Sequence, residues 1–372
     1  MKMRKLIRIL HSFCTSIRRK SKQKQQQGLH NSSNEVMDTV DNLVTNIDHV
    51  RSHEGITTVD MEEYCNLSST TTAGSSVLCM SIFTWNMNGK ASSLQDLTKL
   101  LTGSDGDRKL DLLVLGLQEV PRCNITRTLK EALAETHILV EKSIMQSLQL
   151  FVFVPKDYML FITEVKVDKL SVGGFGGTLV RTKKGAVAIS LKFKGIHLLF
   201  ISCHLSAHEG NVEERNSELQ RISKSLFSKN KNLYARPMQI TVWLGDLNYR
   251  IQGLDTFPVR NIIQRNLHAL LTSKDQLLRE AERGNIFNGY SEGTLAFKPT
   301  YKYNVGTNNY DTSHKERTPS WTDRILFKIE KYGNIEATLH AYESIDSIHS
   351  SDHKPVRAHL CLKESNNEIK TS

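Results

Sequence analysis

The stretch ITVWLGDLNYRI, residues 240–251, changes from apolar to polar side chains at Asp246. Its first half is typical of a buried strand, because β-branched and aromatic residues pack well on a pleated sheet. Asp246 and Asn248 follow at the end of this run, and side chains two positions apart in an extended segment point to the same side. The stretch therefore predicts a core strand that brings a carboxylate and an amide to one edge of a sheet.

Similar apolar runs recur on both sides of this strand. They are VLCMSIFTW (77–85), DLLVLGLQ (111–118), LQLFVFV (148–154), MLFITEV (159–165), GAVAISLKF (185–193), IHLLFISC (196–203) and DRILFKI (323–329). Helical patterns lie between some of them, at TRTLKEALAETH (126–137), NVEERNSELQRISKSLF (211–227) and DQLLREAERGN (275–285). This mixture predicts one α/β domain in which two sheets pack together with helices outside them.

The composition is that of a globular protein. Of 372 residues, 39% are hydrophobic and 24% charged, and no apolar run is long enough to span a bilayer. The net charge is +10, but residues 1–28 contain nine Lys and Arg and no acidic residue, which leaves +1 for the rest of the chain. A nearly neutral body argues against nucleic acid as a partner.

The chain divides by composition into four parts. Residues 1–28 mix basic and apolar side chains, and they predict an amphipathic helix for an anionic membrane surface, an organelle transit peptide or a solvated tail. Residues 29–77 are polar and predict a disordered linker, 78–364 form the folded domain, and 365–372 are a C-terminal tail. We expect a monomer that is cytoplasmic and peripheral to membranes, with organelle import as the alternative.

Six cysteines, at positions 14, 65, 79, 123, 203 and 361, show no CxxC spacing. This pattern argues against a disulfide framework and against a thiolate zinc site, and it fits a reducing compartment. We therefore expect free thiols.

Polar residues that a core strand would not choose follow several of the apolar runs. They are Asn86, Glu119, His204, Asp246, Asn248, Asp323, Asp352 and His353. Each one alone fits a turn or a helix cap. Together they predict one site, because ligand-binding residues gather on the loops at strand ends.

The residue types at this predicted site suit hydrolysis of a phosphoester. The carboxylate of Glu119 and the amide oxygen of Asn86 suit Mg²⁺, which keeps water and substrate phosphate as its other ligands. Asp246 can accept a proton from water, and Asn248 can hold that water. His204, and His353 held by a carboxylate such as Asp323, can donate hydrogen bonds to a phosphoryl group that gains charge.

Several motifs resemble those of the inositol polyphosphate 5-phosphatases, within the exonuclease, endonuclease and phosphatase superfamily, most closely the short plant type IV group. They are TWNMNG (84–89), LGLQEV (115–120), KKGAVAIS (183–190), ISCHLSAH (201–208), ERNSEL (214–219), WLGDLNYRI (243–251), FKPTYKYN (297–304), YDTSHKERTPSWTDRIL (310–326) and SDHKPV (351–356). The resemblance implies a four-layer β-sandwich flanked by helices, with residues 78–364 as the catalytic domain.

The resemblance also implies residue roles. Glu119 and Asn86 would hold Mg²⁺, with Asp352 completing the metal side. Asp246 would activate a water that Asn248 orients, while His204 and His353, the latter oriented by Asp323, would contact the scissile phosphate. Tyr301, Lys302, Lys315 and Arg317 would bind the neighbouring 4-phosphate of a phosphoinositide headgroup.

Other functions remain open on this scaffold, since a fold does not fix a function. An endonuclease would need a basic surface for DNA, which the neutral body lacks. A headgroup-binding module without activity would not need the water-activating Asp246. A sphingomyelinase-like phosphodiesterase would leave the Tyr301 to Arg317 pocket without a use.

Overall fold

The strand at 240–246 is the central strand of a seven-stranded sheet in the computed structural model, which describes residues 56–61, 77–102, 110–172, 184–228, 238–330 and 335–364. The chain divides into two compact units, Met1–His49 and Val50–Ser372, and every described residue belongs to the second. The predicted N-terminal amphipathic segment and the C-terminal tail lie outside the described residues.

Thirteen strands occur in the described part of the chain. They are β1 (Thr57–Val59), β2 (Val77–Asn86), β3 (Leu112–Gln118), β4 (His137–Met145), β5 (Leu148–Pro155), β6 (Ile162–Ser171), β7 (Gly185–Phe193), β8 (Ile196–His204), β9 (Ile240–Asp246), β10 (Ser291–Gly293), β11 (Asp323–Ile329), β12 (Ile335–Ser344) and β13 (Val356–Glu364). One sheet has the order β1-β10-β11-β9-β8-β7-β6, and the other β12-β13-β2-β3-β5-β4.

Helices cover the outer face of each sheet. They are α1 (Ser93–Thr102), α2 (Ile125–Ala132), α3 (Val212–Ser225), α4 (Thr256–Gln264) and α5 (Gln276–Glu282), with 3₁₀ helices at Lys156–Phe161 and His268–Lys274. Leu219 of α3 and Leu277 of α5 pack with Trp243 on the seven-stranded sheet. Leu97 of α1 and Leu129 of α2 belong to the apolar cluster on the six-stranded sheet. The predicted four-layer α/β sandwich is thereby confirmed.

The two sheets approach each other closely beside the central strand. Gly116 of β3 leaves no room for a side chain, because an added Cβ would lie 2.7 Å from Cδ1 of Leu244 and 2.8 Å from Oγ of Ser202. Nearby, Nε2 of Gln118 donates to Ser202 Oγ across the sheets, at 3.4 Å. This contact brings the ends of β2 and β3 next to the ends of β8 and β9.

Two expectations about the chain are wrong. Residues 57–59 lie in the stretch predicted as a disordered linker, yet they form β1, which pairs in parallel with β10. Cys79 and Cys361, expected as free thiols, are joined in a disulfide because β2 and β13 place them directly opposite each other. Because 282 residues separate them, the spacing of the cysteines in the sequence does not indicate this pairing.

Among the described residues, no helix is long and apolar enough to cross a membrane.

Candidate active site

Three predicted site residues occupy one row of the seven-stranded sheet. His204 ends β8 and is the register partner of Asp246, which ends β9, and Asp323 begins β11 on the other side of Asp246. All three side chains are at least nine-tenths buried. The sheet therefore brings together residues that lie 42 and 77 positions apart in the chain.

Backbone conformation at the end of β9 explains why the WLGDLN motif has glycine at position 245 and asparagine at position 248. Gly245 has φ +141°, and a Cβ there would lie 2.1 Å from the backbone oxygen of Cys203. Only glycine fits such a position. Asn248 follows with φ +59°, a left-handed conformation that asparagine tolerates well. Its backbone N–H donates to Asp246 Oδ1 at 3.2 Å, so the turn folds back onto the carboxylate.

The other sheet contributes Asn86 and Glu119. Nδ2 of Asn86, at the end of β2, donates to Asp246 Oδ2 at 3.0 Å. Glu119 follows β3 with φ +47°, and its Oε1 lies 3.8 Å from Nε2 of His204. The same imidazole nitrogen lies 3.3 Å from Asp246 Oδ2. Asn86, Glu119, His204 and Asp246 thus form one polar cluster between the sheets.

His353 completes this cluster together with Asp323. Its Nδ1 lies 2.9 Å from Asp323 Oδ2, and that oxygen also accepts hydrogen bonds from the hydroxyls of Thr300 and Thr322. Burial acts to lower the pKa of His353, but the negative charge of Asp323, helped by Asp246, raises it to about 10. His353 is therefore a cation at neutral pH, with both ring nitrogens protonated.

Asp246 is ionised under all physiological conditions. Burial acts to raise the pKa of its carboxyl group, but the hydrogen bond from His204 and the positive charges of His353 and Lys184 outweigh it. The pKa therefore lies well below the usual range of an aspartate. A carboxylate of this kind is always ready to accept a hydrogen bond from water.

Two charged residues in contact with this cluster carried no predicted role. Lys184 directly precedes β7, and its Nζ contacts Nε2 of His204. Arg250 donates from Nη2 to Oδ1 of Asn248 at 2.6 Å and stacks over the ring of Tyr301, 4.4 Å from its centroid. Both residues belong to motifs that the sequence displays, KKGAVAIS and WLGDLNYRI, but only the fold reveals what their side chains touch.

Residues of this cluster fit a hard divalent cation. Glu119 supplies a carboxylate that is about a third exposed, and Asn86 and Asp246 add further oxygen atoms. The ammonium of Lys184 lies against this set, and the charges of Asp246 and Glu119 raise its pKa although burial lowers it overall. Asp323 and His353 fit a metal less well, because their polar atoms already bind each other.

Tyr301 and Lys302, two residues predicted to bind the 4-phosphate, lie next to His353 and Asp352. The ring of Tyr301 lies 4.5 Å, centroid to centroid, from that of His353, and Nζ of Lys302 lies 3.9 Å from Asp352 Oδ2. Burial raises the pKa of Asp352. Asp352 thus pairs with Lys302, and it is close enough to Glu119 for that negative charge to raise its pKa as well.

Asp311 folds the loop that carries the other two predicted pocket residues. Its backbone N–H donates to the Lys302 oxygen at 2.8 Å, and its Oδ2 accepts from the backbone N–H of Arg317 at 3.1 Å. These two bonds return Arg317 to the neighbourhood of Lys302, with exposed Lys315 between Asp311 and Arg317.

Comparison with known families gives one match over most of this domain. Residues 83–359 match the sequence profile of Endonuclease/Exonuclease/phosphatase family 2. Type IV inositol polyphosphate 5-phosphatase 11 of Arabidopsis thaliana is 54% identical over 312 residues, which are 84% of this chain and 89% of that protein. Human phosphatidylinositol 4,5-bisphosphate 5-phosphatase A is 34% identical over 76% of this chain, which spans only 30% of the human protein.

Solved structures share this architecture. The inositol polyphosphate 5-phosphatase domain of SPsynaptojanin, in complex with inositol (1,4)-bisphosphate and calcium ion, has a TM-score of 0.67 and 28% identity, and the match covers 79% of this chain and 88% of that one. Cimex nitrophorin has a TM-score of 0.62 at 21% identity, covering 77% and 98%. At that identity the likeness shows the fold alone, so function has to be argued from the site residues.

Proposed function

We propose, because this chain belongs to the inositol polyphosphate 5-phosphatases of the endonuclease/exonuclease/phosphatase family, that it removes the 5-phosphate of phosphoinositides. The proposed substrates are phosphatidylinositol 4,5-bisphosphate and 3,4,5-trisphosphate, with soluble inositol polyphosphates as further candidates. Members of this family are hydrolases. The observation that carries the proposal is the convergence of an ionised Asp246, a cationic His353 and, beside Asp352, the ammonium of Lys302.

Water is the proposed nucleophile. Asp246 accepts a hydrogen bond from the water and so aims one lone pair at phosphorus, and Asn248 lies two residues away to hold the same water. Arg250 fixes the Asn248 amide by bonding its Oδ1. Phosphoryl transfer passes through a loose transition state, so positioning the water matters more than the basicity of Asp246.

His353 and His204 bind the phosphoryl oxygens in this proposal. The charge of His353 persists to about pH 10, and Asp323 holds Nδ1 so that Nε2–H remains for the phosphate. Donors that are fixed before the reaction stabilise developing charge without a reorganisation cost. Lys184, in contact with His204, adds positive charge on the same side.

Mg²⁺ is the proposed cofactor, held by Glu119 and Asn86 with Asp246 nearby. Enzymes of this family are generally dependent on a divalent metal, and the calcium complex of the SPsynaptojanin domain accords with a hard cation at such a site. When bound, the cation would polarise the phosphoryl oxygen and neutralise its charge. Oxygen donors favour Mg²⁺ over zinc, which prefers more histidine and cysteine ligands.

Phosphate release tests this function. Purified full-length protein is incubated with headgroups that carry or lack a 5-phosphate, with and without Mg²⁺, and Asp246→Asn serves as the control for contaminating phosphatase. We expect Mg²⁺-dependent release only from headgroups with a 5-phosphate. Release from headgroups that lack a 5-phosphate would contradict the proposed specificity. Plasmid nicking in the same buffer without headgroup hydrolysis would contradict the proposal and favour a nuclease.

Membrane attachment is proposed through the basic residues 1–28. Each Lys or Arg near an anionic surface contributes about 1 kcal/mol, so neutralising Arg4, Lys5, Arg8, Arg18, Arg19 and Lys20 should release the protein from phosphatidylserine vesicles. Hydrolysis of a soluble headgroup should be unchanged. Equal vesicle binding by both proteins, or cleavage of this segment during organelle import, would overturn the attachment.

A further inference from the structure

The six-stranded sheet carries a second polar cluster far from the proposed active site. Cys79 of β2 and Cys361 of β13 are register partners, and His359 lies two residues before Cys361 on the same face. Cys79 is seven residues from Asn86, which places it about 23 Å along the strand from the active-site edge. The three side chains are 2–6% exposed.

This cluster contains a histidine nitrogen beside the two sulfur atoms, which a disulfide does not need. Nε2 of His359 lies 3.5 Å from Sγ of Cys361, and the three ligand atoms all lie within 4.8 Å of one another. A tetrahedral zinc ion with Zn–S of about 2.3 Å and Zn–N of about 2.0 Å separates its sulfur and nitrogen ligands by about 3.5 Å. His359 therefore stands where a zinc ligand would stand relative to Cys361.

We propose that Cys79, His359 and Cys361 form a redox-controlled zinc site. With both cysteines reduced, the two thiolates and the imidazole bind Zn²⁺, and formation of the disulfide removes the thiolates and releases the ion. The proposal is independent of the proposed phosphatase activity, since none of these residues touches the active site. Cysteine spacing argued against such a site, but the pairing of β2 with β13 assembles it from distant segments.

His340 is the candidate for the fourth ligand. A β-bulge lies between Leu339 and Ala341 of β12, where Ala341 pairs with His359, and the ring centroids of His340 and His359 are 5.6 Å apart. Two imidazoles bound tetrahedrally to one zinc ion have centroids about 5 Å apart, given a Zn–N distance of about 2.0 Å. Bulges commonly re-aim a side chain in this way.

The redox step balances with a peroxide as the two-electron oxidant. One zinc bis-thiolate, one hydrogen peroxide and two protons give one disulfide, one free Zn²⁺ and two waters. The S–S bond forms, both Zn–S bonds and the O–O bond break, and the two sulfur atoms supply the two electrons. Each protein molecule therefore releases one zinc ion as it forms the disulfide.

Cobalt serves as the probe, because thiolate-to-cobalt charge transfer gives a near-ultraviolet band that the oxygen and histidine ligands of the active site do not produce. Full-length protein is reduced with a phosphine, kept in excess Mg²⁺ to occupy the active site, and titrated with Co²⁺. We expect a band that saturates at one equivalent, disappears on addition of Zn²⁺ and is absent after oxidation with hydrogen peroxide.

Variants assign the band to residues. Cys79→Ser and Cys361→Ser should abolish it. His359→Ala removes a ligand and should weaken Co²⁺ binding by about 100-fold or more, since changes next to a metal ligand already cost about 10- to 100-fold. Cys123→Ser, at an exposed cysteine outside the cluster, should leave the titration unchanged. Loss of the band in His340→Ala would identify the fourth ligand.

Two results would overturn the proposal. One is the absence of a thiolate band in the reduced wild type, and the other is an unchanged band in the Cys79→Ser, Cys361→Ser double variant. Circular dichroism and phosphate release check that each variant is folded. If the double variant unfolds, oxidised wild-type protein replaces it as the control, because that chain has every residue and lacks only the two thiolates.

Discussion

Asp323 Oδ2 accepts a hydrogen bond from Nδ1 of His353 at 2.9 Å, and Oδ1 of the same carboxylate lies 3.2 Å from this nitrogen. Two hydroxyls, from Thr300 and Thr322, also donate to Oδ2. The carboxylate is fully buried, so little solvent screens its charge from the imidazole. This pair decides the protonation state of the proposed phosphate-binding histidine.

The first prediction concerns pH. Asp323→Asn removes the largest favourable charge on His353, so its pKa should fall from about 10 toward the usual value of about 6.5. The protonated form is the one that binds phosphate, so the variant should lose kcat/KM above about pH 6.5, while wild type keeps it into the alkaline range. Identical pH–rate profiles would show that His353 does not act as a cation.

The first prediction extends to the stability of the same pair, with a definite sign. The raised pKa of folded His353 contributes stability that is fully present below about pH 6.5 and is lost as the pH rises toward about 10. Thermal unfolding of wild type and Asp323→Asn across this range measures the difference. The gap between the two melting temperatures should narrow with rising pH, and a constant gap would count against the ion pair.

The proposed water-activating residue is the subject of the second prediction. Asp246→Asn keeps the shape of the side chain but removes its charge, and general-base catalysis typically contributes about 10²- to 10⁴-fold. Turnover should fall by that factor with KM largely kept. A variant that retains more than about a tenth of wild-type turnover would place the base elsewhere.

Metal binding supplies the third prediction. Glu119→Gln replaces the exposed carboxylate of the cluster with a neutral amide, so more Mg²⁺ should be needed for half-maximal activity. Turnover at saturating Mg²⁺ should also be lower. Superimposable Mg²⁺ titrations of variant and wild type would remove Glu119 from the metal site.

The fourth prediction tests the basic pocket. Lys302→Ala with Arg317→Ala removes two charge-assisted contacts, each worth roughly 1.5–3 kcal/mol to a partly desolvated phosphate. The fall in kcat/KM should be large on a 4,5-bisphosphate and small on a matched headgroup without the 4-phosphate. Lys130→Ala, at an exposed lysine on α2, controls for loss of positive charge. Equal fractional losses on both headgroups would withdraw the 4-phosphate assignment.

A buried ion-pair network supplies the fifth prediction. Arg324 is fully buried, with Nη1 2.9 Å from Asp275 Oδ1 and Nη2 2.5 Å from Glu292 Oε2. Arg324→Met would leave two buried carboxylates without their cation, which should lower the free energy of unfolding by about 3–5 kcal/mol. Urea denaturation measures this change. Arg127→Met, which breaks an exposed pair with Glu131, should have little effect, and similar losses in both variants would contradict the network's role.

Sequence patterns predicted most of the strands and the polar residues that follow them, because both depend on local composition, but they did not predict β4, β10, β12 or β13. The run 240–245 reads as a strand, and Asp246 stands out as a charge at its end. Register is another matter, since a run of apolar residues does not say which residue of β8 or β11 will face Asp246. The sequence therefore predicted that His204, Asp246 and Asp323 share one site, and the fold shows that they are neighbours in one row.

Contacts between distant segments account for what the sequence did not predict. The Cys79–Cys361 disulfide depends on the pairing of β2 with β13, which are the first and last strands of the six-stranded sheet in chain order. The partners of Lys184 and Arg250 depend on side-chain directions that no local pattern encodes. β1 was missed for a similar reason, because three residues are too few to show a periodic pattern and owe their conformation to β10.

Because His204, Asp246 and Asp323 must lie in one row, phosphate release reports whether β9 has its native register. A slip of one residue in β9 would turn Asp246 to the opposite face of the sheet, away from both neighbours and from Asn86. Such a molecule would keep its strand content and its compactness, so circular dichroism would count it as folded. Recovered activity after refolding would count only the molecules whose central strand has returned to its native alignment.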